Sequence, residues 1–251
     1  MSGHSKWHNI RIRKGAQDAK RGKLFTKAAR EVIMAAKQGG GNPDTNARLR
    51  LAIRNAREVR MPNENIERAI KKGCGEIDGE SYEEVIFEGY GPHGIALMVE
   101  TLTDNRNRTV PELRGVLSKR GGNLGESGCV AWMFERKGVV NVDRAAADED
   151  TLLTVTLDAG VDDITDEGES YRIVCPPESF EDVLKALEAA GIEAQSSEIS
   201  MMPSATVQLA DAKHAQQVLQ LLEELEDNDD VQKVHANFDI LDEVMEAALG
   251  A

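Results

Sequence analysis

Hydrophobic positions recur every three to four residues over the first third of the chain. Leu24, Phe25, Ala28, Ala29, Val32, Ile33 and Ala36 share one helical face, and this stripe ends at Gly39-Gly40-Gly41. Leu49, Ala52, Ile53, Ala56 and Val59 mark a second helix. A third runs from Asn63 to Lys72, with Asn63 as N-cap after Pro62 and Gly73 as the stop. Glu64 and Glu67 lie near its positive end, Lys71 and Lys72 near its negative end. The pattern predicts a small helical bundle over residues 14–73, preceded by an arm over residues 1–13.

Beyond a Gly- and acid-rich linker the apolar runs shorten. Strands are expected at 85–88, 95–103, 130–134, 139–142, 162–165, 171–175, 198–201, 206–209 and 231–238. Helices are expected at 109–120 and 148–159, along Phe180, Val183, Leu184 and Leu187, and along Ala215, Val218, Leu219, Leu222 and Leu225. The order over 139–201 is β-α-β-β-α-β, which suggests a ferredoxin-like sandwich. Residues 95–134 and 206–238 each give β-α-β, so one such domain is split in sequence and the other is inserted into it. The predicted class is α+β, multi-domain. It comprises an N-terminal arm and helical bundle (1–75), a discontinuous α+β domain (80–135 plus 204–240) and an inserted ferredoxin-like α+β domain (136–203).

Charge sharpens this division. Residues 1–75 carry 18 Lys and Arg against 6 Asp and Glu, whereas the rest of the chain carries 12 against 38. A basic head on an acidic body points to an anionic partner at the head. The acidic body favours solubility and repels non-specific polyanions. Cys74, Cys129 and Cys175 are scattered with no C-x-x-C, which fits a reducing compartment, and a cytoplasmic location is expected. No apolar run is long enough to span a membrane, and the start lacks the apolar stretch of a secretory signal.

The candidate interface follows from the placement of cations. Arg50, Arg54 and Arg57 recur at i, i+4 and i+7 opposite the apolar stripe, with Arg48 and Arg60 nearby and Glu58 the only acid on that helix. A merely solvated face would interleave acids, since like charges at this spacing repel. Phosphate suits the guanidinium fork. Lys6, Arg11, Arg13, Lys14, Lys20, Arg21, Lys23, Lys27 and Arg30 extend the same field. Trp7 is either a stacking platform for an unpaired base or part of the bundle's packing. Asn105, Arg106, Asn107 and Arg108 open a helix and are either its cap or a polar contact loop.

Other motifs point away from chemistry. Gly89-Tyr-Gly-Pro-His-Gly94 matches G-x-G-x-x-G, but a strand-like run follows it, so a hairpin is expected. The glycine-rich run 121–128 lacks the G-K-[ST] of a phosphate-binding loop. His4 and His8 share helical spacing without a third ligand. No metal, cofactor or catalytic residue is expected, and the chain reads as non-enzymatic.

The whole chain resembles the YebC/PmpR family of bacteria and its mitochondrial relatives. The resemblance is carried by GHSKW (3–7), AQDAKRGKLFTKAARE (16–31), NARLRLAIRNAR (46–57), MPNENIERAIKKG (61–73), EGYGPHGIALMVETLTDNRNRT (88–109) and SKRGGNLGESGCVAWMF (118–134). Ile12 and His93 are small departures. The resemblance implies a helical bundle and two α+β domains, the last inserted in the second. It also implies a regulator of gene expression: either a transcriptional regulator on promoter DNA, or a translation factor on ribosomal RNA that helps decode difficult stretches such as consecutive prolines. The absence of a helix-turn-helix pattern and of a dimer seam favours RNA and the ribosome. A protein-interaction adaptor, with the acidic domains binding a basic partner or the head clamped on the body, is the alternative from another class.

Overall fold

The first apolar stripe forms α1 (Asp18–Gly39) in a computed structural model that describes residues 18–250. Against it pack α2 (Ala47–Glu58) and α3 (Asn63–Gly73), burying Val32, Ala35, Ala36, Leu49, Ala52, Ala56 and Ile66 in one cluster. Asn46 organises the α1–α2 turn. Its Oδ1 accepts from the Leu49 N–H at 3.0 Å as the N-cap of α2, while Nδ2 donates to the carbonyls of Ala35 (2.8 Å) and Gly40 (2.9 Å). One side chain thus satisfies polar groups at two helix ends.

Two local expectations change in α3. Pro62, rather than Asn63, takes the cap position, and no side chain caps this end. Cys74 rather than Gly73 takes the C-cap position, and Gly73 is the last helical residue. A Cβ there would stand 2.4 Å from the Ile33 carbonyl oxygen, so glycine lets α3 approach α1. The left-handed residue comes later, at Gly75 (φ 76°).

The chain divides into two units, residues 132–206 and the remainder. In the larger unit the bundle sits with an antiparallel sheet of order β3-β1-β2-β9, built from β1 (Glu83–Tyr90), β2 (Ala96–Thr103), β3 (Asn123–Leu124) and β9 (Val231–Ala236). The G-x-G-x-x-G run is the β1–β2 hairpin, turning at Pro92–Gly94. Helices α4 (Arg106–Lys119), α7 (Ala212–Glu226) and α8 (Asp242–Gly250) complete this core, which includes Leu97, Leu113, Leu117, Val218, Leu222, Val234 and Met245. The expected strand at 231–238 breaks at Asn237. Beyond it, β10 (Phe238–Ile240) pairs in parallel with β8 (Val207–Leu209) instead of extending the main sheet. β3 and α8 were not predicted. One is too short to show a period, and acids interrupt the apolar positions of the other.

The smaller unit has β4 (Phe134–Asp143), α5 (Glu149–Thr156), β5 (Asp163–Asp166), β6 (Ser170–Cys175), α6 (Phe180–Ala189) and β7 (Ala194–Pro203). Its strands are all antiparallel in the order β5-β6-β4-β7, the ferredoxin-like arrangement. Val140, Val142, Leu152, Ile173, Phe180, Val183 and Leu187 fill its core. The expected strand at 130–134 is replaced by a 3-10 turn at Ala131–Met133, and β4 starts only at Phe134. Overall the protein is multi-domain α+β.

Candidate nucleic-acid interface

The polar face of α2 separates the predicted arginines into different roles. Arg48 is tied down. Its Nε donates to Glu31 at 2.9 Å, and its Nη1 and Nη2 each donate to Glu84 at 3.1 Å. Burial works to lower the Arg48 pKa, but the two carboxylates outweigh it and hold it above the ordinary value. Arg50 turns back along the chain, its Nη1 donating to the Pro43 carbonyl at 2.7 Å. Among the described residues, Arg54 and Arg57 make no hydrogen bond or salt bridge.

Arg54 and Arg57 instead line an open groove of about 600 Å³ together with Pro43, Asp44, Arg50, Ile53 and Glu58. Burial pushes the Glu58 carboxyl above its ordinary value, against the pull of Arg54. The groove exists because α2 presents its polar residues one turn apart while the α1–α2 connection folds over them. Arg50 pins that connection through a charge-assisted bond.

The basic stripe of α1 points elsewhere. Lys23 donates to the Asp227 carbonyl at 2.9 Å, Lys27 to the Glu226 carbonyl, and Arg30 to the carbonyls of Asp229 and Leu102. These three cations, spaced i, i+4 and i+7, therefore meet the C-terminal end of α7. That end presents unpaired carbonyls and the negative pole of the helix dipole. Arg30 also reaches Asp230 at 2.9 Å and lies 5.1 Å above the Tyr82 ring.

Asp230 is the centre of this junction and is 2% exposed. Arg108 Nη2 donates to its two oxygens at 2.9 and 2.7 Å, Thr109 Oγ1 at 2.7 Å and Thr103 Oγ1 at 3.3 Å. Burial pushes the Asp230 carboxyl up, but Arg108, Thr109 and Arg30 outweigh it and hold it below the usual carboxylate range. Asn105 is the N-cap of α4, accepting from the Arg108 N–H at 3.2 Å. Arg106 and Asn107 are exposed.

Several sequence-predicted site residues have contacts within the protein that the sequence did not show. Arg30, Arg48 and Arg108 hold the protein's own carboxylates, and Lys23 and Lys27 hold its own carbonyls, in place of an open basic field. The physical reason is proximity: acids distant in sequence are brought beside them by the fold. Lys20 and Arg21 fall on the first turn of α1. Lys6, Trp7, Arg11, Arg13 and Lys14, with His4 and His8, lie outside the described residues. The contributions of Pro43, Asp44 and Asp230 were missed. The first two read as loop, and Asp230 was indistinguishable from the surrounding surface acids.

A second anchored loop lies on the body. Glu88 is 6% exposed and accepts from the N–H groups of Gly128 (2.6 Å), Val130 (2.8 Å) and Ala131 (2.7 Å). Burial raises its carboxyl pKa, but the three N–H donors outweigh this and the net value is lowered. Among the described residues no helix is long and apolar enough to cross a membrane, and no three His, Cys, Asp or Glu side chains gather to hold a metal ion.

Comparison with known proteins places these features in a wider set. Residues 5–76 match the model of the TACO1/YebC protein N-terminal domain, and residues 82–238 match that of the TACO1/YebC second and third domain. A protein of Geobacter sulfurreducens named "Probable transcriptional regulatory protein" is 54% identical over 98% of this chain and 99% of its own. One from Persephonella marina with the same description is 53% identical over the same shares. The crystal structure of a conserved hypothetical protein, Aq1575 from Aquifex aeolicus, is similar with a TM-score of 0.81 and 50% identity, covering 90% of this chain and 93% of that one.

Proposed function

The chain belongs to the TACO1/YebC family, and from that premise we propose that it is a non-enzymatic, cytoplasmic regulator of gene expression that binds nucleic acid through its basic N-terminal domain. The observation that carries this is the groove on α2, where Arg54 and Arg57 make no hydrogen bond or salt bridge among the described residues and Arg57 is exposed. Two guanidinium groups side by side, with Glu58 as the one acid near Arg54, leave an excess of positive charge that a phosphate backbone can neutralise. The arm with Lys6, Arg11, Arg13 and Lys14 adds to the same field.

The favoured version is a ribosome-associated translation factor on RNA, relieving stalling at stretches such as polyproline. The sequence shows no helix-turn-helix pattern and no heptad dimer seam, which favours this version. The relatives' description as probable transcriptional regulatory proteins supports the other version, which we take as a transcriptional regulator on promoter DNA. Crosslinking in cells followed by sequencing of both DNA and RNA separates them. Enrichment of ribosomal RNA supports the first, and enrichment of promoter fragments the second. Recovery of neither nucleic acid above a mock control would leave the adaptor reading, in which the acidic body binds a basic protein.

A further inference from the structure

Resting on that reading, we propose that the α2 groove takes one unstacked nucleotide of a single strand, with Arg54 and Arg57 on its flanking phosphates and Glu58 reading the base edge.

Three observations carry this. The first is shape. The Pro43–Asp44 turn stands beside the arginine face of α2, held by the 2.7 Å bond from Arg50. A splayed single-stranded nucleotide fits a recess of about 600 Å³, within the range of small-ligand sites.

The second is the division of labour among the arginines. Arg50 is engaged with the carbonyls of Pro43 and Asp44, so it positions the groove rather than contacting phosphate. Arg54 and Arg57 line the groove and make no hydrogen bond or salt bridge among the described residues. They are three residues apart on a helix, so their heads are neighbours and can engage successive phosphates.

The third is the apolar lining of the groove and its acid. Ile53 is 9% exposed and offers an apolar surface to a base face. Glu58, which also lines the groove, is an acceptor when ionised. It accepts from the exocyclic amine of cytosine, adenine or guanine, whereas uracil offers only its N3–H, flanked by two carbonyl oxygens that repel the carboxylate.

The test uses the full chain and fluorescence anisotropy with labelled rC10, rA10 and rU10 and a 10-bp duplex. Wild type is expected to bind the C and A decamers several-fold more tightly than the U decamer, and the duplex most weakly. R54A/R57A should weaken single-strand binding about tenfold or more, with its thermal midpoint unchanged. Glu58→Gln should close most of the gap between rC10 and rU10. Tightest binding of the duplex, or an rC10–rU10 gap that survives E58Q, would overturn the proposal. So would single-strand affinity that ignores R54A/R57A, although binding through the arm would then still stand. Absence of binding to all four probes would overturn this proposal, while the crosslinking experiment separately decides whether the nucleic-acid function stands.

Discussion

Replacing Asp230 by Asn keeps the side chain's size and removes its charge from a site 2% exposed. The carboxylate binds Arg30, Arg108 and Thr109 at 2.7–2.9 Å, so the change leaves two guanidinium groups facing an amide. Breaking a buried pair by removing one partner costs about 3–5 kcal/mol. Two features place the loss at the low end. Arg108 is 42% exposed and keeps Asp104 at 2.8 Å, while Arg30, 12% exposed, keeps the Leu102 and Asp229 carbonyls. A loss of about 3 kcal/mol corresponds to a fall of roughly 6–12 °C in thermal midpoint for a chain of this size. Arg30→Met should cost less, about 1–2 kcal/mol, because Asp230 keeps Arg108 and both threonines. Calorimetry of wild type, D230N, R30M and the double variant at pH 7 gives the cycle. The double variant should lose less than the sum of the single losses. A D230N midpoint within about 1 °C of wild type, or strictly additive losses, would refute the view that this junction holds the bundle to the body.

The other predictions concern the supports of the fold. Asn46→Asp retains the N-cap acceptor of α2 but loses both donors to Ala35 and Gly40. It should therefore destabilise by about 2 kcal/mol or more in thermal unfolding, although Asp is ordinarily as good a cap as Asn. An N46D midpoint equal to wild type would show that the two carbonyl bonds contribute nothing. Gly73→Ala should cost about 1–3 kcal/mol, since its Cβ meets the Ile33 carbonyl and α3 must shift; urea unfolding reads this directly. Glu88 and Asp230 have folded pKa values below their ordinary ones. Their stabilisation is therefore present above the unfolded carboxylate range, near pH 4, and is lost as pH falls through the depressed folded values. Midpoints measured from pH 7 to 3 should fall steeply below about pH 4, and less steeply in E88Q, whose wild-type carboxylate is no longer there to be protonated.

Much of this protein is legible in its sequence, because periodicity needs only the residue's neighbours along the chain. The stripes of α1, α2, α6 and α7 appear as uninterrupted 3.6-residue patterns, and the β-α-β-β-α-β order of residues 139–201 dictates the antiparallel sheet observed there. The charge split between residues 1–75 and the rest is likewise plain. What tertiary structure alone decided is where each charge is neutralised. Lys23, Lys27 and Arg30 read as an open basic stripe until the end of α7, some two hundred residues away, is folded against them. Arg48 reads like Arg54 until Glu84 arrives, and Asp230 like any surface acid until Arg30 and Arg108 surround it. A local pattern determines which face of a helix is polar. Only the approach of distant segments determines which of those polar groups still lack a partner.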